Sequence, residues 1–165
     1  MKRLAVMWTP TNPLHEATVR DLEDLTGSRG IQIQSLKIAS PDEIEGGFRA
    51  AAAGRAGAVW VVGDPMFFIH RTRLATVAID ARLPTSFFGR GHVEAGGLIA
   101  YAPDYNRLHW QAAWHIHKVL NGARPAELPI EDPTKFELVI NLKTAKALGL
   151  TIPPSLLARA DQVIE

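Results

Sequence analysis

The chain has 165 residues, a size common for one domain. Hydrophobic residues make up 47% and charged residues 21%, which excludes a disordered chain, and a net charge of +1 gives no reason to expect a nucleic-acid partner. Cysteine is absent, which excludes disulfides, thiolate metal sites and cysteine nucleophiles and leaves the redox compartment open.

Leu4 to Trp8 is a short apolar run that stops at Pro10 and Pro13 and reads as a first strand. It is too short for the apolar region of a signal peptide, so the chain as written is expected to carry no export signal and, expressed so, to be cytoplasmic. No apolar run approaches the ~20 residues of a membrane span. A helical pattern runs from Leu14 to about Ser28, with Leu14, Ala17, Leu22 and Leu25 near helical spacing and Gly27 and Gly30 closing it. Ile31 to Ile38, "IQIQSLKI", alternates apolar and polar residues, the mark of a half-buried strand near a sheet edge. Ser40, Pro41 and Glu43 form a capping box with proline at the first helical position, opening a helix. Ala58 to Gly63 is a continuous run that predicts a strand buried on both faces.

Met66 to Arg82 has a longer helical pattern, followed by a short strand at Thr85–Phe88. The glycine-rich "GRGHVEAGG" reads as a loop leading into a strand at Leu98–Tyr101. Asp104 caps a helix that runs to about Leu120 and ends at Asn121-Gly122. The proline-rich segment Ala123 to Pro133 is irregular, and Phe136–Asn141 is a strand. Thr144–Leu148 and Pro154–Ala160 are short helices, and "DQVI" is a terminal strand. Strands and helices alternate, which predicts an α/β layered fold with a mainly parallel sheet and right-handed crossovers. Ligands of such sheets bind at the carboxyl ends of strands. The residues there are Thr9 to His15, Asp64-Pro65, Gly89 to Glu94 and Ala102 to Tyr105.

The glycine stretch is not a dinucleotide fingerprint. After Gly89 and Gly91 the third glycine is displaced, and a strand, rather than a helix, is expected to follow. No Gly-Lys-Ser/Thr occurs, so a phosphate loop is absent as well, and no cofactor is expected. Glycines that let the loop turn tightly account for the stretch. His115 and His117 are two apart on a helix and point to different faces, and His92 with Glu94 lacks a third ligand, so no metal site is expected. No G-x-S-x-G elbow is present, and Ser86, the one serine near a strand end, has no recognisable base beside it. Trp110 and Trp114 share a helix face, with His117 near it, on a helix that also carries Leu108, Ile116, Val119 and Leu120. Ordinary core packing and cover by a second domain or subunit both fit this pattern. In "WTPTNPLHEAT", Thr9, Asn12 and His15 lead into a helix N-terminus, which suits either an anion or a plain Asn-Pro turn.

Three segments carry a resemblance: "KRLAVMWTPTNPLHEAT", "VVGDPMFFIHRTRLATVAIDARLPTSFFGRGHVEAGGLIAYAP" and "KVLNGARPAELPIEDPTKFELVINLKTAKALGLTIPPSLLARADQVIE". The chain resembles the ABC-transporter substrate-binding protein family that includes tryptophan- and tyrosine-type uptake proteins. The resemblance implies a type I periplasmic-binding-protein fold: a Rossmann-like layered α/β lobe with a mainly parallel sheet. Such proteins are about twice as long, and the likeness is to their C-terminal portion. It implies that residues 1–103 and 134–165 form one lobe. Residues 104–133, with the Trp110/Trp114 helix, would pack on a missing N-terminal lobe, and a homodimer through that helix would restore its cover.

It also implies capture of an amino acid or related small solute without catalysis, outside the cytoplasmic membrane, with a membrane permease as partner. Ligand contacts would come from Thr9, Asn12 and His15, from Asp64, and from the turn at Glu94, Ala95 and Gly96. A carboxylate such as Asp64 or Glu94 would pair an ammonium group, and helix N-termini would receive a carboxylate. Thr9 departs from the family's more usual Trp-Asn-Pro start. The alternatives are a stand-alone lobe with weak or no binding, and a small α/β enzyme acting on a phosphorylated or acyl substrate.

Overall fold

The computed structural model describes residues 2–165. Seven strands form one sheet: β1 (Arg3–Trp8), β2 (Gln32–Lys37), β3 (Ala58–Val61), β4 (Thr85–Phe87), β5 (Ile99–Pro103), β6 (Phe136–Asn141) and β7 (Gln162–Ile164). Their spatial order is β2-β1-β3-β4-β5-β6-β7. All neighbours run parallel except β5 and β6, so the sheet is mainly parallel, as the alternation of elements predicts. The alternating strand β2 lies at the sheet edge.

The helices are α1 (Pro13–Gly27), α2 (Ile44–Ala53), α3 (Pro65–Ile69), α4 (Arg71–Asp80), α5 (Arg90–Glu94), α6 (Tyr105–Leu120), α7 (Leu142–Ala147) and α8 (Pro154–Leu157). The strand period of two divides β1 between two cores. Ala5 and Met7 join Phe48 of α2, Phe67 of α3, Leu74 of α4 and Phe87 of β4 in the larger core. Val6 and Trp8 join Val19 of α1 and Val62 in a smaller one. Burial of each phenylalanine in the larger core contributes roughly 2–3 kcal/mol.

Four local expectations change. The capping box is not made: the Ser40 side chain caps nothing, and Glu43 accepts from the Ala39 N–H at 2.7 Å instead of from the Ser40 N–H. A turn of 3-10 helix, Pro41–Glu43, precedes α2. The helix expected over Met66–Arg82 breaks at His70, whose φ/ψ of −96°/20° leaves the helical region and separates α3 from α4. The run Ala58–Gly63 holds a four-residue strand in which Val59 and Val61 are buried but Ala58 and Trp60 only half so. The glycine stretch is not all loop. Gly89, at φ 152°, reverses the chain and opens the short helix α5, which His92 and Val93 anchor by burial.

The segment 104–135 leaves the sheet after β5 and returns at β6. Pro103 pairs with Phe136 in the antiparallel register, and the Asp104 N–H donates to the Lys135 carbonyl at 3.0 Å. Asp104 caps α6 through the Arg107 N–H, as read from the sequence. No residue of α6 is buried, and Trp110 and Leu120 are 79% and 80% exposed.

Candidate functional site

A cavity of about 730 Å³ opens at the carboxyl ends of the central strands. That volume lies within the range of small-molecule sites. Gly63, Asp64 and Pro65 follow β3 into it, and α3 adds Phe68. The turn after β4 and α5 add Phe88, Gly89, Arg90, Gly91, His92 and Glu94. The first turns of α6 add Tyr105, Asn106 and His109, and β6 adds Glu137.

Local sequence explains much of this placement. Asp64 ends the extended chain after β3 and caps α3, its Oδ1 accepting from the Met66 N–H at 2.8 Å. Gly63 allows the Phe88 ring to lie against the backbone, since a Cβ at Gly63 would come within 2.3 Å of that ring. The Phe88 ring meets Tyr105 edge to face at 5.8 Å, forming an aromatic corner. Across the cavity Phe68 meets the His92 ring edge to face at 5.6 Å, and Arg71 lies over Phe68 at 4.6 Å.

Of the residues singled out in the sequence, Asp64 and Glu94 line this cavity together. Thr9, Asn12 and His15 lie outside its lining, in a knot that ties the end of β1 to the end of β3. Thr9 and His15 are buried. With His15 protonated at Nε2, its Nδ1 accepts from the Thr9 N–H at 3.3 Å and its Nε2 donates to the Gly63 carbonyl at 3.2 Å. Asn12 caps α1, accepting from the Leu14 N–H at 3.1 Å. Ala95 and Gly96 end α5 on the side away from the cavity, where the Thr144 hydroxyl donates to the Gly96 carbonyl at 2.8 Å. Among the described residues no group of three or more His, Asp or Glu could hold a metal ion.

A family model described as ABC transporter substrate binding protein matches residues 1–164. The chain belongs to that family. A tyrosine-binding protein of Clostridioides difficile (strain R20291) is 22% identical to this chain over 149 residues, covering 90% of it and 43% of the relative. A conserved domain protein from Vibrio cholerae superposes with a TM-score of 0.88 at 23% identity, covering 98% of this chain and 54% of the other. An ABC domain from Streptococcus pneumonia, solved in complex with L-Trp, has a TM-score of 0.87 and 26% identity, with 99% of this chain and 55% of the other covered. The chain therefore spans about half the length of these relatives.

Arg90, within the strand-end stretch the sequence points to, and Glu137, which sequence reasoning missed, bring an ion pair to the cavity. Arg90 donates to Glu137 Oε2 from Nε at 3.1 Å and also from Nη2. That hydrogen bond raises the guanidinium above its ordinary pKa. The Glu137 side chain is 8% exposed, and its alternation within β6 is what aims it here. His92 is stacked on Phe87 at 5.1 Å with 14° between the rings. Burial pushes its imidazole down to about 4, with the Arg71 charge adding to the effect and a backbone hydrogen bond at Gly89 opposing it. His92 is thus neutral at pH 7. Burial also raises the Tyr105 phenol, which remains a neutral hydroxyl. The strand-end rule and the glycines were the sequence signals for the Gly89–Glu94 wall. Nothing local marks Glu137, which is 47 residues from its partner.

Proposed function

We propose that this chain captures a small amino-acid-type solute at the cavity after β3, β4 and β5 and passes it to an ABC permease outside the cytoplasmic membrane, without catalysis. The observation that carries the reading is the cavity itself: aromatic walls from Phe68, Phe88 and Tyr105 around the carboxylates Asp64 and Glu94. Family membership and the L-Trp complex of the Streptococcus relative support it. Asp64 and Glu94 contact the solute, while Thr9, Asn12, His15, Ala95 and Gly96 hold the strand-end turns in place. The chemistry of an esterase or nucleotide enzyme finds no support, because no serine, metal cluster or phosphate loop lines the cavity.

Thermal-shift measurements against the amino acids test this. A solute at a hundredfold its Kd stabilises the chain by about 2.7 kcal/mol, so aromatic amino acids are expected to raise Tm. No shift with any amino acid, together with turnover of an ester or nucleotide, overturns the reading.

The exposed face of α6 belongs to the same reading. Residues 1–103 and 134–165 act as the C-terminal-type lobe of a type I periplasmic binding protein, and residues 104–133 pack on another lobe. A second copy of this chain supplies that cover in a homodimer through Trp110 and Trp114. Light scattering at micromolar concentration is expected to give twice the 18.0 kDa chain mass. Trp110→Ser should shift it toward monomer, whereas a monomeric parent chain counts against the dimer.

A further inference from the structure

We propose that Asn141 and Thr144, which lie outside the cavity lining, are positioning residues: through carbonyls at the end of α5 they set where that wall of the cavity stands, and so how tightly the solute is held. The inference rests on the reading that the cavity binds the solute, and it adds two residues that do not touch it. Helix α5 carries Arg90, Gly91, His92 and Glu94 into the cavity. It is five residues long, too short to hold its shape by its own hydrogen bonds. Its place must come from tertiary contacts, and β6 supplies them along one face. A strand sends alternate side chains to the same side. Glu137, Val139 and Asn141 are three such residues, and all three are buried. Glu137 takes Arg90 at the start of α5. Val139 shares the larger core with Val93. Asn141 donates from Nδ2 to the Val93 carbonyl at 3.2 Å.

The Asn141 amide has one orientation, because its Oδ1 accepts from the Thr144 N–H at 3.0 Å and caps α7. Thr144 adds a second tie, its hydroxyl donating to the Gly96 carbonyl at 2.8 Å. Asn141 and Thr144 are each 5% exposed, so water is poorly placed to replace either bond. The two side chains thus hold the end of α5 opposite the Arg90–Glu137 pair. An α5 freed at that end samples positions in which its cavity residues are misplaced. A site that is competent only part of the time binds more weakly by that fraction.

Titrating the nitrogen-15-labelled chain with L-tryptophan, L-tyrosine and L-phenylalanine, and following the tightest of them in four variants, tests this. Thr144→Val keeps the shape of the side chain and removes the hydroxyl. It should weaken binding about threefold or more, in keeping with one neutral hydrogen bond. Thr144→Ser restores the hydroxyl and should bind within about twofold of the parent. Asn141→Asp keeps the oxygen that caps α7 but turns a carboxylate oxygen toward the Val93 carbonyl, and should weaken binding at least as much as Thr144→Val. Val19→Ala, in the smaller core, lowers stability away from α5 and should leave the affinity unchanged. Parent-like affinity in Thr144→Val or in Asn141→Asp overturns the role of that residue. Equal weakening by Thr144→Ser or by Val19→Ala overturns it as well, since packing or general stability is then the cause. Thr144→Val and Thr144→Ser decide the matter alone if Asn141→Asp does not fold. If none of the three amino acids moves the parent's amides, the solute reading falls and this inference with it.

Discussion

Phe87→Ala is expected to lower the stability of this chain by about 4 kcal/mol, a drop in Tm of roughly 10 °C for a chain of this size. Phe87 is 1% exposed in the larger core, which it shares with Val59 and Val61 of β3, Ala100 of β5 and Val93 of α5. The substitution also uncovers His92, which stacks on the Phe87 ring. In the intact protein burial depresses the His92 pKa to about 4, from 6.5. A depressed value means that the unfolded chain binds this proton more tightly than the folded one. The stability due to neutral His92 is therefore fully present above about pH 6.5 and is lost as pH falls toward 4. At about 1.4 kcal/mol per unit, the loss is on the order of 3 kcal/mol.

In Phe87→Ala water reaches the imidazole and its pKa climbs toward 6.5. The variant should then lose less stability than the parent between pH 7 and pH 4.5, and carboxylates common to both cancel in the comparison. Urea unfolding at the two pH values, with a histidine titration by NMR, reads both effects. Should the alanine variant not fold, Phe87→Leu keeps most of the packing and still loosens the stack. A parent His92 that titrates near 6.5 contradicts the account.

Arg90→Met is expected to cost about 2 kcal/mol at pH 7. The substitution removes the guanidinium that neutralises Glu137, leaving a carboxylate whose side chain is 8% exposed without its partner. The figure is set below that for a fully buried pair because the Arg90 side chain is itself 39% exposed and water in the cavity screens the stranded charge. Adding Glu137→Gln to Arg90→Met should recover more than half of the loss, since an amide needs no countercharge. The double-mutant cycle separates this from lost packing by the Arg90 stem. If the double variant is no more stable than Arg90→Met alone, the pair does not act as described. The pair also ties α5 to the returning strand β6, so Arg90→Met should speed hydrogen exchange along Phe136–Asn141.

Much of the frame was legible because it rests on contacts local in sequence. Asp104 four residues before Leu108, and Asn121-Gly122 at the other end, bound α6 by the chemistry of helix ends alone. The alternation in "IQIQSLKI" placed β2 at an edge because period-two burial needs one wet face. Family-like segments spread over the whole chain then named the fold. The strand-end rule pointed to the right walls of the cavity, Asp64 and Gly89 to Glu94, because parallel strands open their carboxyl ends on one side of a sheet.

What the sequence by itself determined, then, is the order of elements, their caps and the side of the sheet on which a ligand can sit. Tertiary structure decided which of the strand-end loops line the cavity. The Thr9–His15 loop looked as suitable as the others, but its two end residues are buried, with His15 bridging Thr9 to the Gly63 carbonyl, and the loop lies outside the cavity lining. Glu137 looked like an ordinary strand residue until the antiparallel pairing of β6 with β5 brought it to Arg90. Both outcomes depend on partners 47 or 48 residues away. Local propensity carries no term for such distances. Only the assembled sheet brings those groups within hydrogen-bond reach.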